Sequence, residues 1–98
     1  MMIQKVKPYR SKRYLSWIRE QPCTHCRAPA PSEAHHMIGI AGGGTMGGKA
    51  SDVLACPLCS TCHRDLHDGR IDLEAQTVWL ARTLEAAFHH GALQEASA

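Results

Sequence analysis

Between Ser11 and Pro22 the apolar residues Tyr14, Trp17 and Ile18 recur at helical spacing, with Arg10, Lys12 and Arg13 turned away from them. That pattern predicts a helix over residues 11–20, opened by Ser11 as N-cap and stopped before Pro22. Residues 33–38 read as a short strand, and the apolar run D-V-L-A-C-P at 52–57 as a second strand able to pair with it. The intervening residues 39–48 hold six glycines, and no regular element survives that composition, so they read as a long loop. Ser60 is placed to cap a helix through about 68, with Gly69 just past its end. Asp72 is placed to cap a last helix through about 90, closed by Gly91. Its expected apolar face is Leu73, Leu80, Leu84, Ala87 and Phe88, widened by Val78 and Trp79, and reads as core packing.

This order of elements predicts a single small α+β domain over 11–98, with a core at about 33–68 and a C-terminal helix at about 72–90. With 98 residues in all, such a domain buries only about two thirds of the surface of its unfolded chain. It therefore needs a staple. The five cysteines are an odd number, which points to metal thiolates in a reducing compartment rather than to a disulfide framework. The first twenty residues are basic and lack an apolar run, so they do not read as a signal peptide. No stretch approaches the roughly 18 apolar residues of a membrane span. The expectation is a cytoplasmic protein with no membrane partner.

Charge changes the picture at one end. Residues 1–20 carry six Lys or Arg against Glu20 alone, a balance of +5, which leaves −3 for the remainder of a chain whose net charge is +2. Residues 1–10 have no periodicity and contain Pro8, so they read as a basic flexible arm. A basic arm on a mildly acidic body points to nucleic acid as partner. Lys5, Lys7, Arg10 and Arg13 are the candidate phosphate contacts there, joined by Lys49 and Arg64.

Two C-x-x-C pairs, Cys23/Cys26 and Cys59/Cys62, supply the staple. Each bends the backbone so that two sulfurs converge, and two such pairs complete the tetrahedron of a structural Zn²⁺. Cys56/Cys59 is also a C-x-x-C, so Cys56 is an alternative ligand, although its apolar surroundings suit a buried thiol. Four histidines remain: the adjacent His35 and His36, whose side chains leave a strand on opposite faces, and His63 and His67, one helical turn apart on one face. A zincin would need Glu directly after the first histidine of the helix pair, and Arg64 stands there instead.

The motifs A-H-H-M-I-G, S-D-V-L-A-C-P-L-C and C-H-R-D-L-H together resemble the HNH nucleases, over roughly residues 23–67. Within them the chain looks most like the branch of the phage recombination-enhancement nuclease Ref and its prophage relatives, through H-x-I-G, the glycine-rich loop, K-A-x-D, P-L-C and a final L-H. The resemblance implies a zinc-stapled ββα-metal domain with flanking N- and C-terminal helices. It also implies endonucleolytic hydrolysis of DNA, leaving a 5′-phosphate and a 3′-hydroxyl. His36 falls at the general base and His35 at the preceding metal-ligand position. His63 falls at the ligand on the helix, and His67 at an additional ligand of some members. Asp52 stands where the family has its middle Asn, a departure that bears on its orienting role. A catalytic divalent cation, Mg²⁺, Mn²⁺, Ni²⁺ or Zn²⁺, is implied, as are phage or host recombination or packaging proteins as partners. The long N-terminal extension of Ref has no counterpart here, so dependence on a recombinase filament is not expected. The alternative reading is a non-catalytic zinc module that binds nucleic acid or a protein. Such a module has no use for four further histidines once its sulfurs are supplied. A hydrolase acting on another substrate is disfavoured by the basic arm.

Overall fold

In the computed structural model, residues 7–39 and 50–93 are described, and they form three helices, one 3-10 turn and a two-stranded sheet. Lys5, Lys49 and all of the glycine-rich stretch after Gly39 lie outside the described residues. Helix α1 (Lys12–Arg19) begins where expected: Ser11 is extended, and its hydroxyl accepts from the Tyr14 N–H at 3.0 Å. The helix buries Tyr14 and Ile18 completely and stacks Tyr14 on the half-buried Trp17, with ring centroids 5.8 Å apart. Arg13 stays exposed on the outer side.

Strand β1 (Glu33–His36) pairs antiparallel with β2 (Ala55–Leu58), with Glu33 opposite Leu58 and His35 opposite Cys56. Both strands are shorter than expected, and the second starts later. Asp52–Leu54 is a 3-10 turn rather than the head of a strand. Ser51 accepts from the Val53 N–H, and the Asp52 carboxylate accepts from the Ser11 N–H at 2.8 Å. Local side-chain bonds of this kind offer the backbone an alternative to the ladder. The same region ties down the arm: the Tyr9 N–H donates to Ser51 Oγ at 3.0 Å, and its carbonyl accepts from the Asp52 N–H at 2.8 Å. The segment expected to run free through residue 10 is thus docked from Tyr9 onward.

Strand β2 is buried along its whole length and divides the core in two by its alternation. Cys56 and Leu58 face a cluster with Cys23, Cys62, Leu66 and Trp79, while Ala55 faces Tyr14, Ile18, Ala87 and Leu93. Each large side chain buried this way contributes about 1.5–3 kcal/mol. Helix α2 (Ser60–His67) is capped by Cys59, not Ser60. Helix α3 (Ala75–His89) starts later than expected, and Asp72 serves it only through its carbonyl, which accepts from the Ala75 N–H at 3.0 Å. Its buried face is Gln76, Trp79, Thr83 and Ala87. Leu73 is exposed, as are Val78 (50%) and Phe88 (61%), so the helix is turned away from the purely apolar phase. Trp79 has the largest surface to bury, and Gln76 finds four polar partners inside, which together set that rotation. Among the described residues no helix is long and apolar enough to cross a membrane.

Candidate metal centres

Cys23, Cys26, Cys59 and Cys62 bring their sulfurs within 4.8 Å of one another, a set that could hold a zinc ion. Each pair is a knuckle. The Cys26 N–H donates to Cys23 Sγ at 3.5 Å and the Cys62 N–H to Cys59 Sγ at 3.4 Å. Arg27 closes the first knuckle with a left-handed φ of 69°, its N–H bonded to the Cys23 carbonyl at 3.0 Å. Burial works against the Cys23 thiolate, but the surrounding backbone N–H groups outweigh it and bring its pKa down to about 7. Burial, then the neighbouring sulfurs, push Cys62 up. Cys26 and Cys59 sulfurs are only 3.7 Å apart. Four thiolates this close repel one another unless a cation sits among them, so the donor set fits zinc. Cys56 is outside the set. It is 2% exposed in β2, and burial raises its pKa to about 12, which keeps it a protonated core thiol.

His35, His63 and His67 form a second group, with one ring nitrogen of each within 4.8 Å of the others. β1 supplies the first and the outer face of α2 the other two, their ring centroids lying 4.9, 5.6 and 5.0 Å apart pairwise. His35 is buried, and burial lowers its pKa, with the positive charge that His63 and His67 can carry acting in the same direction. It is therefore a neutral imidazole, the form that binds metals. Its Nε2 meets Gln76 Oε1 at 2.8 Å. Glu33 Oε1 lies 2.6 Å from His63 Nδ1 and accepts its hydrogen, leaving Nε2 for a ligand. The group opens on a shallow pocket of about 370 Å³ lined by Glu33, Ser60, His63, Arg64 and His67. Three imidazoles beside an open pocket are a donor set that could hold a divalent cation.

His36 points to the other side of the strand. Its Nε2 lies 2.9 Å from Asp52 Oδ1, and the pair lines a separate pocket with Arg10, Leu15 and Ala50. Burial acts to raise the Asp52 pKa. The His36 hydrogen bond, the Ser11 N–H and the Arg10 charge outweigh it, and the net shift is downward. Arg10, a candidate phosphate contact, sends its guanidinium to the Ala50 carbonyl and to Asp52 at 3.4 Å. Lys7 and Arg64 are exposed.

The profile of the protein family of unknown function DUF968 matches residues 1–91 of the 98. The chain belongs to the DUF968 family. An uncharacterized protein of Escherichia coli (strain K12), YdfU, is 38% identical to it over 74 residues, which is 76% of this chain and 21% of that protein. The chain thus spans about a fifth of that relative's length. No solved structure matches.

Two residues of this DUF968 chain join the three-imidazole group without standing out in its sequence. Glu33 precedes the histidine pair by two positions on β1, so its side chain shares the face of His35; that period-2 relation was its one signal. Gln76 lies 41 residues from His35 in the chain, on a helix whose pattern reads as apolar, and nothing local signals it.

Proposed function

We propose that the chain is a metal-dependent endonuclease of the HNH type that hydrolyses DNA phosphodiester bonds, with β1, β2 and α2 as its ββα-metal unit. The observation that carries this reading is the convergence of His35 from the hairpin with His63 and His67 from the following helix, beside an open pocket. The resemblance of A-H-H-M-I-G and C-H-R-D-L-H to the HNH pattern supports it. His35, His63 and His67 hold the cation, and imidazole donors favour Zn²⁺ or Ni²⁺ over Mg²⁺. When bound, a divalent cation there neutralises charge on the phosphate and on the departing 3′-oxygen.

The remaining steps fall to the chain's own side chains. Glu33 orients His63. Arg64, on the rim of the same pocket, is placed to meet a phosphate oxygen. His36 is the general base. Asp52 is ionised and can only accept, so the hydrogen of a neutral His36 sits on Nε2, and Nδ1 is the lone pair that takes the proton from water. Asp at this position therefore fixes the tautomer that an Asn could leave open. Lys5, Lys7, Arg13 and Lys49 add phosphate contacts that carry no sequence information. Phage or host recombination or packaging proteins are the partners this reading suggests.

One observation favours the alternative, a non-catalytic zinc module: His36 lines a different pocket from the three imidazoles. Plasmid nicking by the purified chain, across Mg²⁺, Mn²⁺, Ni²⁺ and Zn²⁺, separates the two. A nuclease converts supercoiled to nicked circles with at least one cation, and His63→Ala shifts that dependence to higher metal. Supercoiled plasmid left intact under all four cations would establish the module instead.

A further inference from the structure

Gln76 lies in the first turn of α3 and is only 1% exposed. All of its hydrogen-bonding capacity is used inside the protein. Nε2 donates to the Ile38 carbonyl at 2.8 Å and the Leu73 carbonyl at 2.9 Å, while Oε1 accepts from the Ile38 N–H at 2.9 Å and meets His35 Nε2 at 2.8 Å. Those contacts decide which end of the carboxamide is oxygen. Turned over, its two N–H groups would face another N–H, and its oxygen would face two carbonyls.

An amide oxygen can only accept, so the hydrogen on His35 is at Nε2. A neutral imidazole carries one N–H, which leaves the lone pair of His35 at Nδ1. His63 is fixed the opposite way, since Glu33 occupies its Nδ1. Leu73, just before α3, also meets the chain where the glycine-rich stretch begins. A Cβ on Gly39 would come within 2.8 Å of Leu73 Cδ1, and Gly39 has a left-handed φ of 69°. The backbone at Ile38 thus lies against Gln76, and that at Gly39 against Leu73.

We propose that Gln76 is a positioning residue for the three-imidazole site: it selects the Nε2–H tautomer of His35, presents Nδ1 to a divalent cation and couples that ligand to the start of the glycine-rich stretch. This rests on reading His35, His63 and His67 as a metal site. A residue that only filled space would leave the tautomer free and the metal affinity unchanged. Second-sphere partners of metal-bound histidines typically change affinity 10–100-fold when removed.

The test uses the full chain with zinc on its cysteines. Long-range ¹H–¹⁵N spectra without a second cation should show His35 protonated at Nε2; protonation at Nδ1 overturns the inference. Calorimetric titration with Ni²⁺ then compares the parent with Gln76→Met, Gln76→Glu and His63→Ala. Gln76→Met, which has only a weak thioether acceptor and no donor, should weaken Ni²⁺ binding about 10–100-fold while zinc stays at one per chain. Gln76→Glu keeps an acceptor and should fall between the two. A folded Gln76→Met with parental Ni²⁺ affinity overturns the proposal and leaves the metal site standing. Equal Ni²⁺ uptake by the parent and His63→Ala overturns the metal reading itself. Should Gln76→Met not fold, the parent tautomer and the Gln76→Glu titration decide.

Discussion

The two donor clusters of this small domain share helix α2 and differ in their donors and in their exposure. Four sulfurs lie within 4.8 Å of one another and could hold a zinc ion, with Cys23 and Cys62 inside the main core cluster beside Leu58 and Trp79. Of the three imidazoles, His35 is buried while His63 and His67 line a pocket edged by Glu33, Ser60 and Arg64. Closed sites hold a fold together, and sites with an open position do chemistry. Helix α2 serves both: Cys59 caps it, Cys62 faces the core, and His63 and His67 face the pocket. The sulfur cluster therefore sets the origin and rotation of the helix that aims two imidazoles. Stability and the proposed function are joined at one turn of helix, and substitutions on its two faces should separate them.

The largest effect falls on the sulfur side. Cys59→Ser removes one of the four sulfurs while leaving a hydroxyl able to cap α2, so its effect reports the metal ligand and not the cap. Zinc supplies ~10–16 kcal/mol in small metal-folded domains, which is as much as the whole ~5–15 kcal/mol stability of a domain. The variant should lose its zinc by elemental analysis and its helical circular dichroism. Cys56→Ser, outside the set, should retain both.

On the imidazole side the fold should survive and the reaction should not. His36→Ala removes the proposed base and should slow plasmid cleavage about 10²–10⁴-fold, or ~3–5 kcal/mol of barrier, at every metal concentration. His63→Ala should instead lose rate that added metal partly restores. Rescue of His36→Ala by metal, without rescue of His63→Ala, would exchange the two roles.

How far these differences could be read from the sequence depends on range. The C-x-x-C pairs, the Ser11 cap and the His63/His67 turn are local, because ligand convergence and capping need only a few neighbouring residues. The start of β2 was not local. Asp52 looks like the head of a strand until the Ser11 N–H, 41 residues away, claims its carboxylate. Cys59 replaced Ser60 as the cap because a knuckle sulfur already accepts the Cys62 N–H. The face of α3 is legible at Trp79, Leu84 and Ala87 but not at Gln76, for a similar reason. Periodicity counts Leu73, Val78 and Phe88 as core, and it cannot know that His35 and Ile38 wait for an amide at position 76. Glu33 was legible only as a residue sharing the face of His35, since its partner His63 lies 30 residues on.

Smaller effects sharpen the contrast. Glu33→Ala frees the Nδ1 of His63 and should weaken the exchangeable metal about 10–100-fold without touching the cysteine zinc. Acid should act on the same face. His35 has its pKa lowered below the ordinary histidine value of 6.5. As pH falls through about 6.5, the unfolded chain takes up a proton that native His35 refuses. The unfolded state then binds more protons, and stability drops with pH. With zinc on the cysteines and no second cation, Tm should therefore fall between pH 7.5 and 5.5 by more in the parent than in His35→Gln. Equal slopes would mean that His35 does not carry the effect.

One closed and one open metal site are proposed for the same chain, and native mass spectrometry counts them directly. With Ni²⁺ added to zinc-loaded protein, the parent should carry two metal ions, and brief chelation should remove one. His63→Ala should carry a single ion before and after chelation. A parent that binds one metal under all conditions, or a His63→Ala variant that still binds two, would contradict a second metal site at His35, His63 and His67.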